Sequence, residues 1–259
     1  LLCIDVGNTN IALGMYQGPQ LQAHWRISTD RARTADEYAL TILGLMHFAG
    51  FQADQVTGVA ITSVVPPLND IFYALCRKTF GIEPFVVTNR TDTGLRIGYT
   101  RPEEVGGDRI VNAVGVMHQY RLPAIVVDFG TATTIDAISA DGVYLGGAIS
   151  PGLQISLQAL FERTARLPRI ELEAPERAIG RTTVESMQAG IIFATAGGVD
   201  AMVARFKAEL DGDPIVIATG GLASVIAQYT REINVVDDLL TLAGLRFIYE
   251  RHHPQTTPS

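Results

Sequence analysis

The chain is poor in cysteine, in basic charge and in long apolar runs, and each shortage removes a class of function. It has two cysteines in 259 residues, Cys3 and Cys76, with no CxxC and no Cys/His cluster. That excludes a disulfide scaffold and a thiolate zinc site, and the two read as buried thiols of a reducing compartment. Lysine and arginine number 20 against 27 acids, for a net charge of −7. A general binder of nucleic acid or anionic membrane needs the opposite balance, because phosphate groups are held mainly by Lys and Arg. No run of 18 uninterrupted apolar residues occurs, and Leu1-Leu2-Cys3-Ile4-Asp5 lacks the basic segment and apolar stretch of a leader. The expectation is a cytoplasmic protein that binds neither nucleic acid nor membrane. GxxxxGK[ST] is missing, as is GxGxxG after a strand, which argues against a P-loop NTPase and a dinucleotide-binding Rossmann unit; GxSxG is absent too. The 25 glycines and 12 prolines are ordinary and give no low-complexity signal.

What is present is ordered around two similar turns. With 47% apolar residues the chain can build one large domain or two of about 130 residues. Residues 1–6 form an apolar run closed by Gly7, which predicts a buried strand entering a tight turn. Strands at 11–16 and 21–27, separated by Gln17-Gly18-Pro19-Gln20, extend it into a meander. Thr34-Ala35-Asp36-Glu37 has the form of a capping box and opens a helix to about Gly50. Residues 56–65 predict a strand stopped by Pro66-Pro67, 68–80 a helix and 84–87 a strand. The plan restarts with strands at 124–129, 133–139 and 143–149; helices fill much of 183–210, and a strand at 214–218 ends in Thr219-Gly220-Gly221 with a helix after it. Asp5-Val6-Gly7-Asn8-Thr9 and Asp128-Phe129-Gly130-Thr131-Ala132 are thus equivalent junctions about half a chain apart, the spacing of a duplicated fold.

A glycine after a buried strand lets the backbone approach a ligand and turn its N–H groups outward, a nest for phosphate oxygens to which the Thr hydroxyls add donors. An acid beside such a nest is reasonable once a cation is present: Mg²⁺ prefers oxygen and is commonly held by one or two carboxylates plus substrate phosphates. On this reading Asp5 and Asp128 face each other across a cleft with the cation and a polyphosphate between them. The alternative is two Asx-type hairpin turns. The occurrence of both turns, each with Thr, favours the ligand.

Gly106-Gly107-Asp108-Arg109 precedes an apolar-periodic run at 110–116, which sets it at a helix N-terminus. Asp108 is there either as a first-turn acid, worth about 0.3–1 kcal/mol, or as part of a site. In the second case the glycines clear space for a ligand and Arg109 forks onto a carboxylate, which suits a substrate with both a hydroxyl and a carboxylate. Gly220 and Gly221 either pack a nucleotide's base or ribose against backbone or form a plain turn. Gly197-Gly198 inside a helical stretch reads as ordinary helix residues in preference to a break or a close helix crossing. His24, His47, His118, His252 and His253 are scattered and read as surface or structural.

Two Asp-Gly hairpins on duplicated halves with a late Gly-Gly resemble the acetate and sugar kinase, Hsp70 and actin superfamily. Within it the chain is similar along nearly its whole length to the type III pantothenate kinases. The resemblance is carried by Asp5 to Asn10, Trp25 to Thr29, Arg33 to Tyr38, Ser63 to Pro67, Tyr99, Gly106 to Arg109, Asp128 to Thr133, Gly146 to Gly152 and Gly180 to Thr183. It implies an α/β fold of duplicated ribonuclease H-like, actin-like ATPase domains, each a mixed sheet flanked by helices, around a central cleft. The halves are expected at 1–118 and 119–250, with a flexible tail at 251–259. It also implies ATP-dependent phosphorylation of pantothenate to 4′-phosphopantothenate, the first step of coenzyme A biosynthesis, with Mg²⁺ and a monovalent cation, K⁺ or NH₄⁺. Asp5, Gly7, Asn8, Thr9, Asn10, Thr131, Gly220 and Gly221 would hold ATP, Asp5 also Mg²⁺, and Asp128 the monovalent cation. Asp108 would be the base, with Tyr99, Gly106, Gly107, Asp108, Arg109 and Thr183 at pantothenate. Thr182 stands where the family has Asn; the contact is assigned to Thr183, with Thr182 as the alternative. The apolar content of 153–161 and 183–210, with the resemblance, points to a homodimer. The other class in view is a non-catalytic, nucleotide-binding transcriptional accessory protein of the same fold, and Asp108 separates the two, since a binding module needs no carboxylate beside a substrate hydroxyl. An Hsp70-like ATPase lacks room here for a peptide-binding domain.

Overall fold

The computed structural model describes residues 1–254. The chain divides into two compact units, one of residues 1–95, 100–118 and 240 onward, the other of 96–99 and 119–239.

The first unit is built on β1 (Leu2–Val6), β2 (Asn10–Gln17), β3 (Gln20–Ser28), β4 (Val59–Ser63) and β5 (Phe85–Val87), in the order β3-β2-β1-β4-β5. β1 pairs antiparallel with β2 and parallel with β4. The expected strand at 56–65 is thus shorter at both ends, and α2 (Pro66–Phe80) starts on the two prolines themselves rather than after them. Proline fits the first turn of a helix because its missing N–H has no intrahelical partner there anyway. α1 (Ala35–Phe48) carries the capping box, with Thr34 accepting from the Glu37 N–H and the Glu37 carboxylate accepting from the Thr34 N–H. Leu2, Ile4 and Val6 point into a core shared with Tyr38, Ile42, Met46, Leu68 and Phe72 of α1 and α2. Alternate residues face the other way, and there Gly14, the register partner of Cys3, meets Leu242 of the last helix.

That helix, which we number α7 (Leu240–His252), corrects two expectations. The second half does not extend to 250: Leu240, Leu245 and Ile248 are fully buried in the first unit, at about 1.5–3 kcal/mol each. The tail expected from 251 begins as helix, with Arg251 paired to Asp92 at 3.2 Å and His252 Nε2 at 2.7 Å from the Asp92 carbonyl. Residues 255–259 of that tail lie outside the described residues. α7 also sets the position of α3 (Gly107–Gln119), since a Cβ on Gly244 would overlap the Val111 carbonyl and one on Gly115 would lie 2.8 Å from the Leu240 carbonyl.

The second unit repeats the plan with β7 (Ala124–Phe129), β8 (Ala132–Ile138), β9 (Val143–Pro151), β10 (Ile215–Thr219) and β11 (Val235–Val236). Its sheet runs β11-β10-β7-β8-β9 and adds β6 (Arg96–Ile97) beside β9, a strand that sequence patterning does not reveal. α4 (Leu153–Arg163) and α5 (Thr183–Glu209) cover it, with α6 (Ala223–Ile226) after β10. α5 is a single 27-residue helix, so Gly197-Gly198 is not a break, and a Cβ on either would meet nothing within 4 Å, so it is not a close crossing. α5 is also apolar and long enough to pass for a membrane span, yet Ile191, Ile192, Ala196, Val199 and Val203 are part of this unit's core.

Candidate active site

Asp5, half-buried, lies near the end of β1 between Ala12 of β2 and Thr62 of β4. The turn after it is tight. The Gly7 N–H donates to the Asn10 carbonyl at 3.1 Å, and a Cβ on Gly7 would lie 2.8 Å from the same oxygen. Thr29 Oγ1 donates to the Gly7 carbonyl at 2.6 Å, the Thr29 N–H to the Thr9 carbonyl at 3.0 Å, and Arg31 to Asn8 Oδ1 at 2.9 Å. Asn8, Thr9 and Asn10 are exposed at the tip.

Asp128 has the equivalent place on β7, in register with Thr134 and Thr219. The Gly130 N–H donates to the Ala132 carbonyl at 3.1 Å. In both turns, then, the glycine N–H closes its own hairpin and does not face outward as sequence reasoning expects. Gly152 lies so close to this second turn that a Cβ there would overlap the Thr131 carbonyl and sit 2.6 Å from that of Gly130. Gly220, at φ +92°, is equally close: its Cβ would overlap Asp128 Oδ1 and lie 2.7 Å from the Phe129 carbonyl carbon. Gly220 thus supports the Asp128 turn from the adjacent strand end. Gly221 is exposed beside it.

Gly106, Gly107, Asp108 and Arg109 open α3. Asp108, half-buried, turns Oδ1 back to accept from the Arg109 N–H at 2.8 Å, and a Cβ on Gly106 would lie 2.6 Å from that oxygen. A Cβ on Gly107 would lie 3.0 Å from Thr62 Oγ1. The glycines therefore make room for protein atoms, and the expectation that they clear space for a ligand is corrected to that extent. Arg109 is buried at 7% exposure. Thr62, missed by sequence reasoning, is fully buried, and its hydroxyl has no hydrogen-bond partner. It is the register neighbour of Asp5 and touches the start of the Asp108 helix, so it joins these two candidate groups within the first unit.

Within the second unit Asp128 and Gly220 come together, and Tyr99 packs against Gly146 and Tyr144. At the start of α5 Thr182 is the N-cap and accepts from the Glu185 N–H at 3.2 Å, whereas Thr183 is the first helical residue and exposed. Both are exposed, and Thr182 Oγ1, though it accepts the capping bond, keeps its O–H donor, so the geometry leaves either hydroxyl open to a ligand. Among the described residues no group of three or more His, Cys, Asp or Glu could hold a metal. The Asp5 carboxylate below an exposed polar tip instead has the oxygen chemistry of a Mg²⁺ ligand shared with substrate phosphates. A cavity of about 510 Å³ in the first unit, lined by Gln17, Gln22, Gln55, Thr57 and Tyr249 among others, contains none of the candidate residues.

The architecture recurs in solved structures. A protein from Campylobacter jejuni described as a Baf family transcriptional activator superposes with a TM-score of 0.61 at 20% identity, covering 98% of this chain and 99% of that one. A protein from Sinorhizobium meliloti described as a 2-dehydro-3-deoxygalactonokinase does so at 0.60 and 13%, covering 99% and 98%. At such identities the likeness shows the fold alone, which is the duplicated ribonuclease H-like fold of the actin-like ATPases and sugar kinases. The sequence goes further. The profile of the type III pantothenate kinase family matches residues 1–205, and the type III pantothenate kinase of Geobacter sulfurreducens is 53% identical over 252 residues, 97% of this chain and 99% of that protein. The chain belongs to the type III pantothenate kinase family.

Proposed function

We infer that the chain transfers the γ-phosphoryl group of ATP to pantothenate, giving 4′-phosphopantothenate in the first step of coenzyme A biosynthesis. Family membership over nearly the whole chain supports this. The observation that carries the chemistry is the junction at Thr62, which ties the strand of Asp5 to the helix start of Asp108. A turn suited to Mg²⁺ and phosphates and a carboxylate suited to a hydroxyl are thereby held on one rigid frame. Phosphoryl transfer asks for little else than positioning and charge neutralisation.

In this reading the tip at Asn8, Thr9 and Asn10, with Gly7 beneath it and Thr131 of the other turn, takes the ATP phosphates, and Asp5 takes Mg²⁺. Gly220 and Gly221 line the nucleotide. Asp108 accepts the pantothenate hydroxyl's proton through the oxygen not bonded to the Arg109 N–H, and Tyr99, Gly106, Gly107, Arg109 and Thr183 hold the rest of the substrate. Asp128 holds a monovalent cation, K⁺ or NH₄⁺. ATP brings about four negative charges, and repulsion from neighbouring carboxylates at a few ångströms is more than one Mg²⁺ offsets. The protein acts as a cytoplasmic homodimer. Seven apolar residues of α5 are buried, but Ile149, Ile155, Phe161 and Val184 remain exposed on β9, α4 and the start of α5. Light scattering that gave a 27.9 kDa particle at micromolar concentration would remove the dimer.

The deciding experiment is formation of 4′-phosphopantothenate by wild type and Asp108→Asn, with and without K⁺ or NH₄⁺. Asn is nearly isosteric, so loss of proton acceptance alone is expected to lower kcat by about 10²–10⁴ with ATP binding and melting temperature unchanged. A fall of less than about threefold would make Asp108 a helix-capping residue. Absence of product from wild type would return the protein to the non-catalytic transcriptional class.

A further inference from the structure

We propose that Tyr144, Asp136 and Gly146 are positioning residues for Tyr99: they form a fixed seat that orients its ring. The inference rests on the reading of Tyr99 as a pantothenate contact.

β6 is two residues long and too short to hold itself in place. It pairs parallel with β9, Arg96 opposite Val143 and Ile97 opposite Tyr144, and the Gly98 N–H continues the ladder to the Tyr144 carbonyl at 2.8 Å. The next residue is Tyr99. Opposite it β9 is irregular. Ala137 of β8 pairs with Gly146 and Ile138 with Tyr144, so Leu145 is an extra residue bulged to the surface at 45% exposure. The bulge leaves Gly146 at φ +126°, a conformation that favours glycine, and a Cβ there would lie 3.1 Å from Cδ2 and Cε2 of the Tyr99 ring. Gly146 is therefore the floor of the seat.

Tyr144 forms its wall. The two rings lie 6.5 Å apart between centroids at 49°. Tyr144 is fully buried, and its phenol donates to Asp136 Oδ1 at 2.7 Å, while Thr134 Oγ1 donates to Oδ2 at 3.3 Å. Asp136 is 1% exposed between Ile135 and Ala137 in β8, a position where a carboxylate is costly unless bonded. Two hydroxyls on its two oxygens offset that cost and leave the Tyr144 ring one orientation. The surface ion pair between Arg96 and Asp141, at 2.8 Å with both side chains mostly exposed, adds little. The chain thus fixes a side chain just past a short strand through a hydrogen-bonded ring beside it and a glycine below.

The test is a double-mutant cycle read on pantothenate KM. Tyr99→Ala is expected to raise that KM by about tenfold or more with ATP KM unchanged, as loss of a contact made equally in ground and transition states would. Tyr144→Phe, which keeps the ring and removes the phenol, is expected to raise pantothenate KM about 3–10-fold with kcat and ATP KM within about twofold. In the Tyr99→Ala background the same change is expected to add less than about 1.5-fold, because the two act as one unit. Gly146→Ala, which presses directly on the Tyr99 ring, gives a second route to the same result should Tyr144→Phe not fold. If Tyr99→Ala leaves the pantothenate KM within twofold, the assignment of Tyr99 to the substrate is wrong and the seat loses its purpose. If Tyr99→Ala raises it but Tyr144→Phe and Gly146→Ala do not, or if the effects multiply, the seat alone is overturned.

Discussion

In the turn after β1 hydrogen bonds from β3 and the segment after it hold the tip: Thr29 Oγ1 bonds the Gly7 carbonyl, the Thr29 N–H the Thr9 carbonyl and Arg31 the Asn8 side chain. In the turn after β7 the corresponding support comes from neighbouring backbone, with Gly152 and Gly220 packed so closely that neither has room for a Cβ. The two halves therefore reach the same strand, acid and glycine arrangement by different means. A hydrogen bond from a hydroxyl can be removed at modest cost, whereas a backbone contact without space for a methyl group cannot be adjusted. The second turn is accordingly the more brittle of the two.

The largest effect should come from Gly152→Ala. The new methyl group would collide with two carbonyls of the second turn, an overpacking cost of about 3 kcal/mol, or about 6–12 °C in melting temperature for a chain of this size. Its counterpart at the first turn, Thr29→Val, removes one hydrogen bond and should cost about 1 kcal/mol. Thermal melts of the two variants decide the comparison, and equal losses would abolish it.

Next in size is the effect of charge. Asp128→Asn should raise the K⁺ concentration for half-activation by about tenfold or more, because an amide lacks the charge that attracts a cation, while pantothenate KM stays within about threefold. Titration of activity with KCl reads this directly. An unchanged K⁺ response would move the cation away from the second turn.

The smallest effects concern pH, and they too divide by half. His118, at the end of α3, stacks on Phe247 of α7 at 4.3 Å, and burial, then the charge of Arg246, hold its pKa below the usual 6.5. The unfolded chain takes up a proton below pH 6.5 that the folded chain resists, so stability should fall as pH drops through that window. Tyr120, in the second unit, donates to Asp237 at 2.9 Å; burial and that bond push its pKa up to about 12 from 10.0. Between those values the unfolded chain has lost a proton that the folded chain keeps, so stability should fall as pH rises. Hydrogen exchange should show acid loosening the contact of α3 with α7 and alkali loosening the second unit. His118→Phe should flatten the acid limb of urea midpoint against pH, and an unchanged limb would remove His118 from it.

Much of this protein was legible in its residues because the deciding signals are local. An apolar run closed by Asp-x-Gly is a buried strand and turn wherever it occurs, and the capping box at Thr34 and Glu37 fixes a helix start within four residues. Both turns, the start of α3 at Asp108 and the duplication follow from such patterns. Asp136 also left a trace, since a charged residue at an inward position of an apolar strand needs a reason, but nothing local names Tyr144 as its partner. Four other features have no local signal. The pairing of β6 with β9 joins residues 96–97 to 143–144, and the return of α7 to the first sheet brings the end of the chain back to its beginning. The space around Gly7, Gly106, Gly107 and Gly220 belongs to protein atoms, and only packing could show whether it was left for a ligand. Thr62 looks like any strand residue until the fold sets it between Asp5 and Gly107. Local sequence determined which turns and helix ends form, since these depend on a few adjacent dihedrals and hydrogen bonds. Tertiary structure decided what each of them touches, because contacts between distant segments arise only once the sheets have paired and their faces are buried.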